Sequence, residues 1–183
     1  MFIQTEQTPN PASLKFLPGR VVLEHGTRDF PAAESAHASP LAEELFRIQG
    51  VAGVFLGSDF ITVTKDDRFD WPVLKPMILA AIMDHFTAGK PIVLEGASEP
   101  AQAEGADDEV VTQIKELLES RVRPAVAQDG GDIVFKGFED GVVLLSLKGS
   151  CSGCPSSTAT LKAGIENLLK HYVPEVREVR QVA

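Results

Sequence analysis

Apolar and polar positions alternate along the chain in two separate series, each mixing β-like pieces with amphipathic helical ones. In the first, Phe2–Thr5, Leu14–Leu17 and Arg20–Leu23 read as strands, with Pro9-Asn10-Pro11 and Pro18-Gly19 as turn signals between them. The period then lengthens. Ser39 is placed to cap a helix, Pro40 suits its first turn, and Leu41, Leu45 and Ile48 share a face before Gly50 stops it. Val51–Leu56 and Phe60–Thr64 flank Gly57-Ser58-Asp59, a predicted hairpin. Asp70 is placed to cap a second helix with Leu74, Ile78, Ile82 and Phe86 on its apolar face. Pro76 lies near its start and Gly89 at its end.

The second series predicts the order α-β-β-α-β. Val110, Ile114, Leu117, Leu118 and Val122 form a helical stripe expected to end near Arg123-Pro124. Asp129-Gly130-Gly131-Asp132 turns into a strand over Ile133–Phe138, and Glu139-Asp140-Gly141 makes a hairpin into Val142–Leu147. A polar loop, Lys148 to Ser157, leads to a helix carrying Leu161, Ile165, Leu168 and Leu169. Pro174 breaks that helix, and Val176–Val182 offers a last strand.

Between the two series, residues 97–109 contain no Val, Ile, Leu or aromatic residue, so they cannot bury a core face and read as a flexible acidic linker. The expected fold class is therefore α+β: two small α+β domains, residues 1–96 and 110–183, joined by that linker. Charge follows the same division. Residues 1–99 hold 8 Lys and Arg against 13 Asp and Glu, residues 100–109 hold none against 4, and residues 110–183 hold 9 of each.

A net charge of −9 argues against nucleic-acid binding, which rests on clustered basic side chains neutralising phosphates. No apolar run approaches the ~20 residues of a membrane span. The start, Met1-Phe2-Ile3-Gln4-Thr5-Glu6, resembles neither a signal peptide nor an Arg-rich transit peptide. These features predict a cytoplasmic protein, or a mitochondrial matrix protein whose transit peptide has been removed.

The only two cysteines form one tetrapeptide, Cys151-Ser152-Gly153-Cys154, which excludes a disulfide framework. They lie between a predicted strand and helix beside Gly149 and Gly153. That setting is expected to present two thiolates outward, with the helix start favouring the charged form. Three chemistries fit a lone Cys-x-x-C: a dithiol oxidoreductase, half of a zinc site, and half of an iron–sulfur site. Either metal reading needs a second chain or an external thiol. His25, His37 and His85 belong to the other half, and His171 lies a helix away. The spacing alone does not choose.

The surrounding residues do. Arg123-Pro124, Asp129-Gly130-Gly131-Asp132-Ile133, Leu147-Lys148-Gly149, Cys151 through Thr158, Thr160-Leu161-Lys162 and Gly164-Ile165-Glu166 closely resemble the C-terminal domain of NifU, the Nfu family. Gln7 through Phe16 and Pro18-Gly19 resemble the N-terminal domain of mitochondrial-type Nfu proteins. The resemblance implies a non-enzymatic iron–sulfur cluster carrier. It implies one 4Fe-4S cluster (a 2Fe-2S cluster being the alternative) held by Cys151 and Cys154 of each of two subunits in a homodimer. The implied partners are an upstream cluster donor and recipient apoproteins of the aconitase and lipoyl-synthase types. Other residues are read more plainly: Asp129 and Asp132 as turn residues, Trp71 as a packing anchor, and Lys148 and Lys162 as charges offsetting a cluster or simply solvated. Pro9-Asn10-Pro11 is expected to fix a sheet edge or a docking loop.

Overall fold

The computed structural model describes residues 2–94, 109–152 and 155–182. The linker expected over residues 97–109 thus lies, apart from Glu109, outside the described residues, as do Gly153 and Cys154. The chain divides into two compact units, Met1–Pro100 and Ala101–Ala183, each with its own core. Both are α+β. Among the described residues, no helix is long and apolar enough to cross a membrane.

The first unit is a five-stranded antiparallel sheet covered by two helices. Its strands are β1 (Gln4–Gln7), β2 (Ser13–Leu17), β3 (Arg28–Phe30), β4 (Val51–Leu56) and β5 (Ile61–Lys65), in spatial order β1-β2-β5-β4-β3. Helices α1 (Pro40–Phe46) and α2 (Trp71–Thr87) lay Leu41, Leu45, Leu74, Ile78 and Ile82 against Phe16, Val54, Leu56, Ile61 and Val63. The predicted hairpin joins β4 to β5, with Leu56 opposite Ile61. Pro76 is accommodated inside α2.

Three sequence expectations for this unit are corrected. The first strand is the polar run Gln4–Gln7 rather than Phe2–Thr5, since a sheet edge needs little apolar surface; Phe2 is exposed. Arg20–Leu23 is not a strand, because the N–H groups of Val22 and Leu23 both donate to the Ser58 carbonyl, which forms no ladder. The place beside β4 is taken by β3. At α2, Asp70 occupies the capping position but its carboxylate makes no capping bond. The expected α2 stripe holds, with Phe86 packed against the core at its end, and beside it lies the fully buried His85. Its Nδ1 lies 3.2 Å from Glu44 and its Nε2 3.0 Å from the Pro91 carbonyl.

The second unit follows the expected α-β-β-α-β order. Strands β6 (Gly131–Glu139) and β7 (Val142–Gly149) form an antiparallel hairpin, and β8 (Glu178–Gln181) joins β7 in parallel after helix α5 (Pro155–Tyr172). Asp140 and Gly141 both have positive φ, 50° and 80°, the tight turn whose twist matches a hairpin. One helical expectation fails: the chain does not leave the helix at Arg123-Pro124. It runs from α3 (Glu109–Leu117) through one π turn, Leu118–Val122, into α4 (Arg123–Gln128). Pro124 has no N–H and its ring crowds the carbonyl one turn earlier, so a widened turn there lets the helix continue. Ile114, Leu118, Val122 and Val126 consequently form one stripe against Ile133, Leu145, Ile165 and Leu169.

Ser39 ties the first unit together at one point. Its buried hydroxyl accepts from the Ala42 N–H at 3.1 Å, capping α1, and donates to the Ile92 carbonyl at 2.5 Å. Replacing Ser39 with Ala should cost about 2 kcal/mol, because it uncaps the helix and leaves a buried carbonyl unpaired. Urea unfolding of Ser39→Ala beside Ser39→Thr, which keeps both bonds, checks this.

Candidate metal centre

The candidate site stands where β7 ends. Gly149, at φ +69°, pairs with Gly131 across the hairpin and turns the chain out of the sheet. Ser150 follows, fully buried. Its N–H donates to the Gly130 carbonyl at 3.3 Å and its hydroxyl to the Asp129 carbonyl. The far side of the loop is held by Thr158 on α5, whose hydroxyl donates to the Cys151 carbonyl at 2.9 Å. Cys151 is therefore gripped before and after, by the Asp129–Gly130 turn ahead of β6 and by α5.

The Cys151 side chain is not presented outward. Only 7% of the residue is exposed, and it belongs to the apolar core of the second unit. Its sulfur lies over Gly131 so closely that a Cβ built there would sit 2.7 Å from Sγ and 2.7 Å from the Lys148 carbonyl. Gly131 is thus required by this close approach and not by its φ. Burial pushes the thiol up to about 11. The Ser150 hydroxyl, 4.0 Å from Sγ, works against that shift, while the negative charges of Asp129 and Asp132 add to it. The expected thiolate at this position is corrected accordingly: burial and two nearby carboxylates outweigh any field from the helix start. Cys154, the other sequence-predicted ligand, lies outside the described residues.

Asp132 proves to be more than a turn residue. Its carboxylate, 5% exposed, takes two parallel hydrogen bonds from Arg123, Nε to Oδ1 and Nη2 to Oδ2, each 2.9 Å. Oδ1 also accepts the Ile133 N–H at 2.8 Å. Arg123 Nη1 meets Glu119 at 2.7 Å, one turn back along the helix. This fork fastens α4 to the start of β6, the wall on which the Cys151 sulfur rests. Sequence reading missed the pair because two residues nine apart in a helix and a strand carry no local signature.

The remaining candidates have local partners. Lys148 stands opposite Asp132 in the β6–β7 register, and Lys162 lies beside Glu166 on α5. His37 pairs with Glu43 on the surface, and His171 lies edge-on to Tyr172. Trp71 packs on the first core and donates from Nε1 to the Pro11 carbonyl at 3.1 Å. Among the described residues, no three His, Cys, Asp or Glu side chains converge as a metal cage.

This architecture, a helix-covered sheet joined to a small α-β-β-α-β unit with a cysteine pair after its second strand, has known counterparts. Residues 3–89 match the family described as scaffold protein Nfu/NifU N terminal, and residues 114–180 match the NifU-like domain. Over 183 residues the chain is 58% identical to the human protein named NFU1 iron-sulfur cluster scaffold homolog, mitochondrial, covering all of this chain and 72% of that one. It is 54% identical to the Drosophila ananassae protein of the same name, of which it covers 64%. A solution structure of a NifU-like protein from Saccharomyces cerevisiae aligns with 52% of this chain and 86% of its own length, at 27% identity and a TM-score of 0.46. The chain belongs to the Nfu family of iron–sulfur cluster scaffold proteins.

Two predictions follow from the geometry. Arg123→Met leaves a buried carboxylate without its fork, so the second unit should lose about 3 kcal/mol or more, read by urea unfolding. The second concerns pH. The folded state keeps the Cys151 proton up to about pH 11, whereas an unperturbed thiol gives it up near 9.0. The stability this supplies is complete below pH 9 and is lost as pH rises through 11, by roughly 2–3 kcal/mol. Unfolding free energies of wild type and Cys151→Ala across that window should converge by this amount.

Proposed function

We propose that this protein carries an iron–sulfur cluster as cargo and hands it to recipient apoproteins, with Cys151 and Cys154 as its only ligands. The observation that supports this reading best is the placement of the chain's sole cysteine pair on the glycine-flanked loop after β7, within the NifU-like domain. Thiolates are soft donors suited to iron–sulfur clusters, and such clusters usually take four of them. One chain supplies two, so a 4Fe-4S cluster is completed by the same pair from a second copy. A cluster held by two thiolates per subunit across an interface is easier to release than one enclosed by four from a single chain. Release is the task of a carrier, and no bond of a substrate needs to be made or broken.

Cys151 must lose its proton to bind iron, so loading releases protons and is favoured by rising pH. The buried Cys151 thiol is ill suited to be the attacking sulfur of a dithiol oxidoreductase, which works as an accessible thiolate. The two relatives named above are mitochondrial by name, which supports the matrix alternative for this chain. Recipients of the aconitase and lipoyl-synthase types remain the partners of choice. Division of labour follows the two units: the second holds the cluster, and the first, without cysteine, recognises partners.

Anaerobic reconstitution tests this directly. Wild-type apo protein should be a monomer that becomes a brown dimer holding one cluster per two chains, by absorbance, iron and sulfide content, and light scattering. Cys151→Ala and Cys154→Ala should each remain colourless and monomeric. A variant that still binds stoichiometric iron and sulfide would overturn the ligand assignment.

A further inference from the structure

A groove of about 500 Å³ opens on the first unit, between strand β1, the Thr8–Pro11 loop and the first turn of α2. β1 is an outer strand of its sheet, paired among the described residues only with β2, so its second edge offers backbone N–H and C=O groups to whatever lies beside it. The loop is rigidly built. Thr8 donates to the carbonyls of Asn10 and Ser13, Asn10 Oδ1 accepts the Ala12 N–H at 3.0 Å, and Trp71 Nε1 holds the Pro11 carbonyl.

Those bonds leave one group unspent. Because Ala12 donates to the Asn10 side chain, the atom it meets is the amide oxygen, and the amide NH2 occupies the other end. Asn10 lines the groove, and its NH2, which makes no hydrogen bond among the described residues, is open to the groove rather than sealed in the core. One helical turn beyond Trp71, Lys75 lines the same groove and has no ion-pair partner among the described residues. Two donors without acceptors, one of them a cation, thus face one cavity on a unit that otherwise carries excess acid, since residues 1–99 hold 13 Asp and Glu against 8 Lys and Arg.

We propose that this groove is a docking site for an extended acidic segment of a partner protein. The segment runs beside the open edge of β1, packs on the Trp71 ring, and sets an Asp or Glu carboxylate against the Lys75 ammonium and the Asn10 amide. Backbone pairing along a sheet edge supplies affinity without regard to sequence, and the carboxylate supplies the selection. Among the described residues that line the groove Lys75 is the only charged one, so its position sets the register of the segment's carboxylate. The inference deepens the partner-recognition role proposed for the first unit but does not depend on cluster chemistry, since it concerns apo protein and residues remote from the cysteines in sequence.

Trp71 is the chain's single tryptophan, so its fluorescence reports on the groove in the full-length apo protein. The probe is an eight-residue peptide of alternating Val and Thr with one central Glu, compared with its Gln counterpart and with free glutarate. Saturable change with the Glu peptide is expected, about tenfold weaker binding of the Gln peptide, and negligible response to glutarate. Lys75→Gln should abolish the preference for Glu over Gln. Asn10→Asp keeps the acceptor for the Ala12 N–H, and so the loop, but replaces the free donors with a charge, and should lower affinity about tenfold or more. Equal binding of the Glu and Gln peptides, an unchanged preference in Lys75→Gln, or glutarate binding as tightly as the peptide would each overturn the proposal. Because reconstitution is not involved, failure here leaves the cluster reading standing, and failure of the cluster reading leaves this result intact.

Discussion

A carboxylate buried at the start of a strand costs several kcal/mol unless its charge is met with good geometry. Asp132 is such a group, and the two-pronged grip of Arg123 makes its position tenable. Much of the second unit depends on that grip. It fixes α4 to β6, and α4 is there because the π turn carried the helix past Pro124. It sets where β6 begins, and therefore which residue, Gly131, faces the Cys151 sulfur. The pair also places a carboxylate near the thiol, one of the influences that keep it protonated.

The consequence is a resting thiol that is stored rather than displayed. A scaffold needs ligands that meet iron when it is offered, but an exposed thiolate is also the form that oxidises most readily. For Cys151 as the ligand proposed above, burial against a residue with no side chain reconciles the two, since packing holds the sulfur while hydrogen bonds hold the backbone of its loop. Ser150 and Thr158 hold the loop through backbone carbonyls, which leaves the sulfur itself free to change partners.

The first unit is stiffened by different means. Its two helices are closed over the sheet by apolar contact, while Ser39 and His85 fix the segment that follows α2 through the carbonyls of Ile92 and Pro91. Burial alone pushes the Glu44 carboxyl up, yet hydrogen bonds from Lys90 and His85 hold it below the usual range, so the charges around His85 are mutually satisfied. Asn10 and Lys75 lie apart from these paired groups, on the groove proposed above as a docking surface.

Local physics was written in the sequence. Strand–turn–strand order, the Ser39 cap, the Asp140-Gly141 hairpin, the apolar stripes of α2 and α5 and the isolation of the cysteine pair all depend on neighbours within a few residues, where propensity and periodicity act. The family resemblance carried by the residues around Cys151 belongs to the same level. Tertiary structure decided what depends on distant partners. The edge position of β1 and the replacement of Arg20–Leu23 by β3 follow from which backbone groups found a ladder. The π turn reflects a helix held to its core on both sides of Pro124. The role of Asp132 and the burial of Cys151 arise only when residues far apart along the chain meet, because desolvation and charge pairing are properties of the folded surroundings and not of any residue alone.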